Sequence, residues 1–377
     1  MWHFFKLFFL FGGLLSSHLA MSQSPPIFSF PQYIEGFQLQ QKNGYTLLEI
    51  ENTNSSSPGE KQSYALIHRD SIALRKSVAQ LYTHIIDIPV QRLVVSSTTH
   101  LAAIELLKAE ASVVGFPGTQ YISSEVFRNR IKKGELTDIG SDQSINIERL
   151  LVLDPSLFIG YTVGEENRSY QTIRKAGVPI ILNNDWLSSH PLSRAAWIYF
   201  FGALLDKLKE ADLIFSSINN EYEKTKQLAK KAVNKPIVMS GAMYNDVWYA
   251  PGGASWGAQF IADAQATYAF PSNNTSSDSY SLEHILDLAK EASFWIGPGQ
   301  FTSYKGLATS SSHYAQFAPF HSKNVYTYAA KKGATGGVLY YELAPQRPDL
   351  VLKDLLYIFH PNLLPNHRLH FFTPLNP

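Results

Sequence analysis

The 377-residue sequence contains no cysteine. This absence excludes disulfide bonds, a thiolate nucleophile, an iron–sulfur cluster and a lipidated cysteine. Hydrophobic cores alone therefore have to hold the folded chain together, and a hydrophobic content of 45% is enough to build them. Because the chain is much longer than about 150 residues, which is a usual size for one domain, we expect two domains or lobes.

An excess of charge of either sign is also lacking. The 32 lysine and arginine residues are balanced by 31 aspartate and glutamate residues, and the basic residues form no continuous run. A net charge of +1 creates no long-range field that would attract nucleic acid or an anionic membrane. We therefore predict that nucleic acid is not a partner.

Long apolar runs are absent after the first 22 residues. The opening MWHFFKLFFLFGGLL joins one lysine to a short apolar core, and Ala20-Met21-Ser22 provides small residues where a signal peptidase reads them. We predict that residues 1–22 are a signal peptide and that the mature chain starts near Gln23. The alternative is an N-terminal anchor that stays in place. A cleaved signal and the absence of cysteine predict a soluble periplasmic protein that is not a lipoprotein.

Several motifs of catalytic and phosphate-binding sites are missing. The sequence has no Walker loop, no His-Glu-x-x-His and no Gly-x-Gly-x-x-Gly. The glycine-rich stretches Pro251-Gly252-Gly253 and 333–337 lack a following Lys-Ser/Thr, which argues against a phosphate cradle. Paired acids such as Glu165-Glu166 lie in polar surroundings typical of a solvated surface. These observations favour a protein that is not an enzyme and that has no resident cofactor.

The 12 histidines do not form a metal-binding motif. The closest spacing is His367-x-x-His370, where flanking prolines disfavour the helix that would bring the two imidazoles to one face. We predict no metal site from the sequence. A site assembled from residues distant in the chain stays open at this point.

The apolar patterns divide the chain into four parts after the signal. Residues 23–90 form an N-terminal β extension, in which strands are predicted at 46–51 and 63–69 with a polar loop between them. Residues 91–190 and 235–377 alternate short buried strands with amphipathic helices, which predicts two α/β lobes with mostly parallel sheets. Residues 191–234 read as one long helical region that is broken near 205–210.

The two lobes share an internal echo. SINIERLLVLDPSLFIG at 144–160 and YSLEHILDLAKEASFWIG at 280–297 each join a helix pattern to a buried strand that ends in Ile-Gly. This similarity indicates two lobes of like construction, although chance is the alternative. In the second lobe, the stretch WYAPGGASWGAQFIADA at 248–264 is then expected after the first strand, with Gly252 and Gly253 turning the chain and Ser255 capping the next helix.

Four segments in this order resemble periplasmic substrate-binding proteins of the helical-backbone class, which serve ABC importers of ferric siderophores, haem and cobalamin. They are IPVQRLVVSSTTHLAAIELLKAEASVVGF at 88–116, LTDIGSDQSINIERLLVLDPSLFIG at 136–160, GGASWGAQFIADAQATYAF at 252–270 and RPDLVLKDLLYIFHPNLLP at 347–365. The resemblance implies a monomer that captures such a ligand in the cleft between the lobes and delivers it to a permease.

The resemblance also nominates functional residues. Loops after strand ends imply a ligand site, and docking onto a permease uses a glutamate on one helix of each lobe. The docking positions here hold Ala102 and Gln259, so nearby acids would have to replace the glutamates. The ligand-site residues implied are Ser97, Thr98, Thr99, Tyr121, Tyr161, Trp186, Tyr244, Trp248, Tyr249, Trp256, Phe301 and Tyr304; the docking residues implied are Glu105, Gln259 and Asp263.

Basic residues near these loops are few, with Arg128, Arg130 and Lys305 as the candidates. A strongly anionic chelate requires convergent arginines, so this scarcity favours a bulky, weakly charged ligand such as cobalamin or haem. Two other functions stay open. One is an accessory or scaffold protein that kept the fold without docking to a permease, and the other is a two-domain α/β enzyme.

Overall fold

The structure is a computed structural model that describes residues 30–51, 61–164 and 166–377. The predicted signal peptide, most of the predicted loop in the N-terminal extension and Glu165 lie outside these residues. Within the described ranges, every helix lacks either the length or the apolar content required of a bilayer-crossing helix.

The N-terminal extension is a four-stranded sheet with the order β1-β2-β3-β4. The strands predicted at 46–51 and 63–69 are present as β2 and β3, and they pair in antiparallel fashion. Sequence reasoning missed β1, which is short and polar but buries Phe37 and Leu39 through strand alternation. The elements are β1 (Phe37–Gln41), β2 (Tyr45–Glu51), β3 (Lys61–His68), α1 (Ile72–Val78) and β4 (Ile85–Ile88).

The first lobe contains a parallel five-stranded sheet with the order β11-β10-β5-β6-β7. Its first strand, at 93–95, is fully buried because helices cover both faces, which explains its continuous apolar run. The elements are β5 (Leu93–Val95), α2 (Thr98–Leu106), β6 (Val113–Phe116), α3 (Glu125–Lys132), β7 (Thr137–Asp138), β8 (Gly140–Ser141), β9 (Ser144–Ile145), α4 (Ile147–Val152), β10 (Leu157–Gly160), α5 (Arg168–Lys175) and β11 (Ile180–Leu182).

The predicted helical region after residue 190 consists of three helices. Pro191 occupies the first turn of α6. The chain breaks again between α7 and α8, within the interval predicted from sequence, where Asp206 has a left-handed φ of 56°. Gly202 lets these two helices cross closely, since a Cβ at this position would lie 2.8 Å from the Cβ of Ala211. The helices are α6 (Pro191–Ala195), α7 (Ile198–Leu204) and α8 (Leu208–Ala229).

The second lobe is built on the sheet β15-β12-β17-β18-β19, in which only β19 runs antiparallel to its neighbour. A three-stranded antiparallel sheet, β13-β14-β16, is added to it. The elements are β12 (Ile237–Ser240), β13 (Ala242–Tyr244), β14 (Val247–Pro251), α9 (Trp256–Asp263), β15 (Thr267–Tyr268), β16 (Ser277–Tyr280), α10 (Leu282–Ala289), β17 (Phe294–Ile296), α11 (Tyr304–Ser310), α12 (Ala318–His321), β18 (Val325–Thr327), α13 (Leu339–Leu343), α14 (Pro348–Phe359) and β19 (Thr373–Pro374).

The two sheets share an order of four strands. In the first lobe β6 pairs with β5, β5 with β10 and β10 with β11; in the second lobe β15 pairs with β12, β12 with β17 and β17 with β18. The fifth strand is added at different places, with β7 beside β6 in the first sheet and β19 beside β18 in the second. The internal echo in the sequence corresponds to α4–β10 and α10–β17, and β10 and β17 hold equivalent places beside the first strand of their sheets. Asn146 and Ser281 cap these two helices through their side-chain oxygens. The fold is therefore two similar α/β lobes joined by a helical segment, as the sequence predicted.

The stretch at 248–264 differs in part from the prediction. The first half belongs to β14, the second strand of a hairpin that follows β12, and does not directly follow the first strand of the lobe. Ser255 does cap α9, since its Oγ accepts a hydrogen bond from the N–H of Ala258 at 3.3 Å. Gly252 and Gly253 are required by close packing, because a Cβ at either position would lie within 2.3 Å of the backbone at Asn274 or Ser272.

A histidine on α2 is buried without a hydrogen-bond partner. His100 is 1% exposed, its ring packs against Phe201 with centroids 5.6 Å apart, and neither ring nitrogen has a partner among the described residues. Burial lowers the pKa of His100 from 6.5 to about 3. Below pH 6.5 the unfolded chain therefore binds a proton here that the folded chain does not, and the free energy of unfolding falls as the pH drops toward 3.

We expect His100→Leu to remove this pH dependence. Uptake of one proton changes the free energy of unfolding by about 1.4 kcal/mol per pH unit. The difference in this free energy between the variant and the wild type should therefore be about 2 kcal/mol more favourable to the variant at pH 5 than at pH 7.5. Urea denaturation at both pH values measures the difference. His313→Ala, at an exposed site, is the control and leaves the slope unchanged. Parallel stability curves for His100→Leu and the wild type would contradict the assignment.

Candidate functional site

A cavity of about 680 Å³ lies at the carboxyl ends of the second-lobe strands. Ser240 ends β12, Gly241 follows it and Gly297 follows β17, and all three residues line the cavity. These are the first and third strands of the lobe, between which the strand order reverses. Ligands in open α/β sheets bind at this switch point, so the position indicates a binding site.

The walls of the cavity are mainly aromatic. They come from the added hairpin, from the start of α9, from the loop after β17 and from α13. The exposed rings at the mouth belong to the hairpin and α13, with Tyr244 70% exposed, Tyr249 47% and Tyr341 46%. The aromatic residues that line the cavity are Tyr244, Tyr249, Trp256, Phe260, Phe301, Tyr328, Tyr340, Tyr341 and Phe372.

Three of these rings form a stack with a cation at one end. The planes of Tyr328 and Tyr340 lie 15° apart with centroids separated by 4.6 Å, and Tyr340 faces Trp256 at 6.3 Å and 23°. The guanidinium of Arg194 lies 4.7 Å from the centroid of Trp256 on α9. The stack offers flat apolar surface next to one positive charge, an arrangement that suits a planar ligand.

Among the described residues that line the cavity, only Arg194 has a side chain that is charged at neutral pH. Its side chain is 9% exposed and its Nη2 lies 3.8 Å from the carboxylate of Asp185, which is 7% exposed. The Arg194 Nε has no hydrogen-bond partner in the described structure. Burial raises the pKa of Asp185, while Arg194 and a hydrogen bond from Thr99 oppose this rise. The Nε of Arg194 is therefore a buried donor that no acceptor satisfies in the described structure.

The polar groups of the wall are hydroxyl and amide groups. The Gln300 Nε2 donates to the Tyr341 Oη at 2.9 Å, and that hydroxyl donates to the Tyr328 Oη at 3.3 Å. Burial raises the pKa of Tyr328, so its hydroxyl stays protonated at neutral pH. The site can thus bind, stack and form neutral hydrogen bonds.

One serine in the wall has the sequence context of a nucleophile elbow. Gly253-Ala254-Ser255-Trp256-Gly257 matches Gly-x-Ser-x-Gly, a match that the sequence analysis missed. Ser255 is only 2% exposed, its Oγ serves as the helix cap, and its φ of −76° is unstrained. No histidine or carboxylate lines the cavity with it in the described structure. The serine therefore has a structural role here and lacks a catalytic base.

The second-lobe candidates separate into two groups. Tyr244, Tyr249, Trp256 and Phe301 line the cavity, as the resemblance implied for a ligand site. Trp248 does not, because it is fully buried on the opposite face of β14 from Tyr249. Its indole N–H donates to the Ser240 carbonyl at 3.0 Å, and its ring packs against Trp295.

Tyr304 is also a core residue. It is 6% exposed, and its hydroxyl accepts a hydrogen bond from the N–H of Val325 at 3.3 Å. The prediction placed it in the loop after β17, but it begins α11 and points into the lobe.

None of the six first-lobe candidates lines the cavity. Ser97 caps α2 by accepting from the N–H of Thr99, and Thr98 is the first residue of that helix. Thr99 hydrogen-bonds to Asp185, so it contacts the site only through the partner of Arg194. The remaining three are Tyr121, which is 63% exposed, Tyr161, whose hydroxyl donates to Asp142, and Trp186, whose indole donates to the Thr162 carbonyl.

The first-lobe candidates lie outside the cavity because a segment of the second lobe crosses to the first lobe. Residues 329–343, here called the crossing segment, lie against the start of α3. The Glu342 carboxylate accepts hydrogen bonds from the backbone N–H groups of Ser123 at 2.7 Å and Ser124 at 3.0 Å. Gly337 packs so closely that a Cβ there would lie 2.3 Å from the Tyr121 carbonyl. The crossing segment therefore occupies the first-lobe side of the cleft.

The residues implied for docking are engaged within the chain. The Glu105 carboxylate accepts from the Ser124 hydroxyl at 2.5 Å. Asp263 is 5% exposed and binds the hydroxyl of Tyr222 at 2.6 Å, the Lys226 ammonium at 3.0 Å and the Gln259 amide at 2.9 Å. Asp263 is buried and Glu105 is partly buried, and each carboxylate already accepts a hydrogen bond within the chain.

The site residues that were missed from the sequence include Arg194, Tyr328, Tyr340 and Tyr341. Tyr328 follows β18, so its position after a predicted strand was a usable signal. Arg194 lies on the connecting helices, and the tyrosines of α13 belong to the crossing segment, where no pattern indicated a return to the cleft. The cations proposed from sequence are elsewhere, and Arg128 and Arg130 donate to backbone carbonyls near α3.

Comparisons with known proteins agree with this geometry. The model of a family described as periplasmic binding protein matches residues 93–332. A protein of Methanocaldococcus jannaschii called an uncharacterized lipoprotein is 24% identical over 302 residues, covering 78% of this chain and 70% of that protein. Unlike a protein anchored through a cysteine, this chain has no cysteine to lipidate.

Two solved structures show the same fold. A periplasmic haem-binding protein of Roseiflexus superimposes with a TM-score of 0.55 at 20% identity, covering 73% of this chain and 99% of that chain. A periplasmic haem-binding protein of Pseudomonas aeruginosa gives a TM-score of 0.57 at 16% identity, covering 76% of this chain and 99% of that chain. At these identities the similarity establishes the architecture.

The buried pair of Arg194 and Asp185 leads to a stability prediction. Removing one partner leaves the other charge buried and unpaired, so we expect Arg194→Met or Asp185→Asn to lower the free energy of unfolding by about 3–5 kcal/mol. The double variant should cost less than the sum of the single changes, since neither charge is then left alone. Urea denaturation of all four proteins gives the coupling energy.

The exposed pair of Arg75 and Asp87 is a matched control, with side chains 45% and 46% exposed. Its coupling energy should stay below about 1 kcal/mol. Additive losses at Arg194 and Asp185 would show that the two charges do not depend on each other.

Proposed function

The chain belongs to the family of periplasmic binding proteins, and from this membership we propose that it captures an iron chelate or a related organometallic ligand in the aromatic cavity and delivers it to an ABC importer. The proposed ligands are a ferric siderophore, haem or cobalamin. The family consists of solute-binding proteins and not of enzymes, which agrees with the lack of a catalytic base beside Ser255.

The observation that carries the proposal is the aromatic stack at the switch point. The rings of Trp256, Tyr340 and Tyr328 stack in the wall of a cavity of about 680 Å³, with 23° and 15° between the planes of successive rings. Planar macrocycles and aromatic chelators bury large flat surfaces on such rings at low entropic cost. A cavity of this volume is within the range of about 300–1,000 Å³ that suits ligands of drug size or somewhat larger.

The charge of the cavity narrows the ligand class. Arg194 supplies one positive charge, and no carboxylate lines the wall in the described part of the chain. A strongly anionic ferric chelate would require several converging arginines. A bulky ligand with little net charge, such as haem or cobalamin, fits this wall better. Two of the proteins with the same fold are described as haem-binding, which supports haem as the first ligand to test.

We expect haemin or cobalamin to raise the melting temperature and to quench tryptophan fluorescence at micromolar concentration, because ligand binding stabilises only the folded chain. Trp256→Phe should weaken binding about two- to tenfold, since an aromatic contact contributes about 0.5–1.5 kcal/mol beyond buried area. Trp186→Phe removes an indole outside the cavity and should leave the affinity unchanged. If haemin, cobalamin and a ferric catecholate all fail to change either signal, the ligand assignment is wrong.

An accessory role without transport is the second candidate, and the internal engagement of Glu105 and Asp263 favours it. The importer hypothesis predicts that cells lacking this protein lose uptake of the radiolabelled ligand identified above. The wild-type protein and the Trp186→Phe variant should both restore the uptake. If the purified protein binds the ligand but the deletion strain takes it up at the normal rate, the accessory role replaces delivery.

A further inference from the structure

Two histidines and a buried aspartate converge behind one wall of the cavity. Asp354 on α14 is 0% exposed. The His367 Nε2 lies 2.7 Å from the Asp354 Oδ1, and the His370 Nδ1 lies 3.6 Å from the same oxygen. The three donor atoms all lie within 4.8 Å of one another. The sequence suggested only a His-x-x-His pair without a helix; the third member comes from a different element.

The path of the chain explains how the three residues meet. After α14 the chain turns at residues 361–363 and returns along the helix to reach β19. The backbone N–H groups of Phe371 and Phe372 donate to the Asp354 Oδ2 at 2.7 and 3.3 Å. The Asp354 Oδ2 therefore holds the returning segment through hydrogen bonds. The Asp354 Oδ1 lies between the two imidazoles and also accepts a hydrogen bond from the His370 backbone N–H at 2.9 Å.

The donor geometry is close to that of a small metal site. Zinc binds histidine nitrogen and carboxylate oxygen at about 2.0–2.2 Å in a tetrahedron, so neighbouring donor atoms lie roughly 3.3 Å apart. The observed separations of 2.7 and 3.6 Å fall on either side of that value. A hydrogen bond from His367 alone would explain the shorter distance but gives no reason for the position of the His370 nitrogen.

We propose that Asp354, His367 and His370 bind one divalent cation of the zinc type, with water as the fourth ligand. Two imidazoles and a carboxylate are donors that zinc accepts readily. His370 is 46% exposed, which gives the ion a route from solvent, whereas His367 at 9% and Asp354 at 0% are fixed by packing. The Lys331 ammonium is the cation facing this region, and it is held by the His370 carbonyl at 2.7 Å.

The position of the site links it to the cavity wall. Phe371 and Phe372 follow His370 directly; Phe372 lines the cavity, and Phe371 packs edge-on against Tyr340 at 5.8 Å. A cation bound to His370 would fasten the segment that carries both rings. This assignment does not rest on the proposed ligand, because the metal contacts none of the residues that line the cavity.

The test uses the whole protein after treatment with a chelator. We expect isothermal titration with Zn²⁺ to show one site per chain, and Zn²⁺ to raise the melting temperature. His370→Ala should lower the affinity at least tenfold, since even loss of a residue that only supports a metal ligand typically costs about 10–100-fold. Because His370 is partly exposed, this variant should fold, and its melting temperature without metal should match that of the wild type.

His313→Ala removes another exposed histidine and is the matched control, so it should bind Zn²⁺ like the wild type. Addition of Co²⁺ gives a second readout, because tetrahedral coordination produces a visible absorption that His370→Ala should lose. The proposal is overturned if the wild type shows no stoichiometric Zn²⁺ binding, or if His370→Ala and His313→Ala bind the metal equally well.

Discussion

The arrangement of the candidate site depends on the carboxylate of Glu342. It accepts two hydrogen bonds from the backbone at Ser123 and Ser124, where α3 of the first lobe begins, although it belongs to the second lobe. Hydrogen bonds of backbone N–H groups to a buried carboxylate are strong. Burial raises the pKa of Glu342, and these hydrogen bonds oppose the rise. These bonds hold the crossing segment in the cleft. The first-lobe backbone at 121–124 is therefore covered, and the cavity is lined mainly by the second lobe.

The architecture could be predicted from the sequence because it rests on local patterns. Short apolar runs gave the buried parallel strands, and the repeated helix–strand unit indicated two lobes with the same order. The site was only partly predictable. Tyr249 and Trp248 are neighbours in sequence, but strand alternation sends one ring to the cavity and the other to the core. A choice between them requires the register of the added hairpin, which a single sequence does not specify.

The first-lobe candidates show a different limit. Ser97, Tyr121 and Tyr161 do follow strand ends, as predicted, yet none of them lines the cavity. The crossing segment, more than 200 residues later in the chain, packs against the backbone at Tyr121 and Ser123. The glycines at 333–337 lacked the context of a phosphate loop in the sequence, and in the structure Gly333 and Gly337 permit this close contact between backbones. Arg194 was not predicted because no sequence pattern in the connecting helices indicated a residue that faces a ligand. Contacts of this range depend on tertiary packing, which local propensity does not reveal.

The added hairpin at the mouth of the cavity changes what a partner can sense. In a two-lobed protein whose ligand lies between the lobes, the loaded state differs from the empty one in overall shape. Here Tyr244 on β13 and Tyr249 on β14 lie at the mouth of a cavity that is built mainly on one lobe, and the hydrogen bonds of Glu342 join the two lobes beside it. A partner that contacts this antiparallel hairpin would therefore reach the mouth of the cavity directly, with no change in the separation of the lobes.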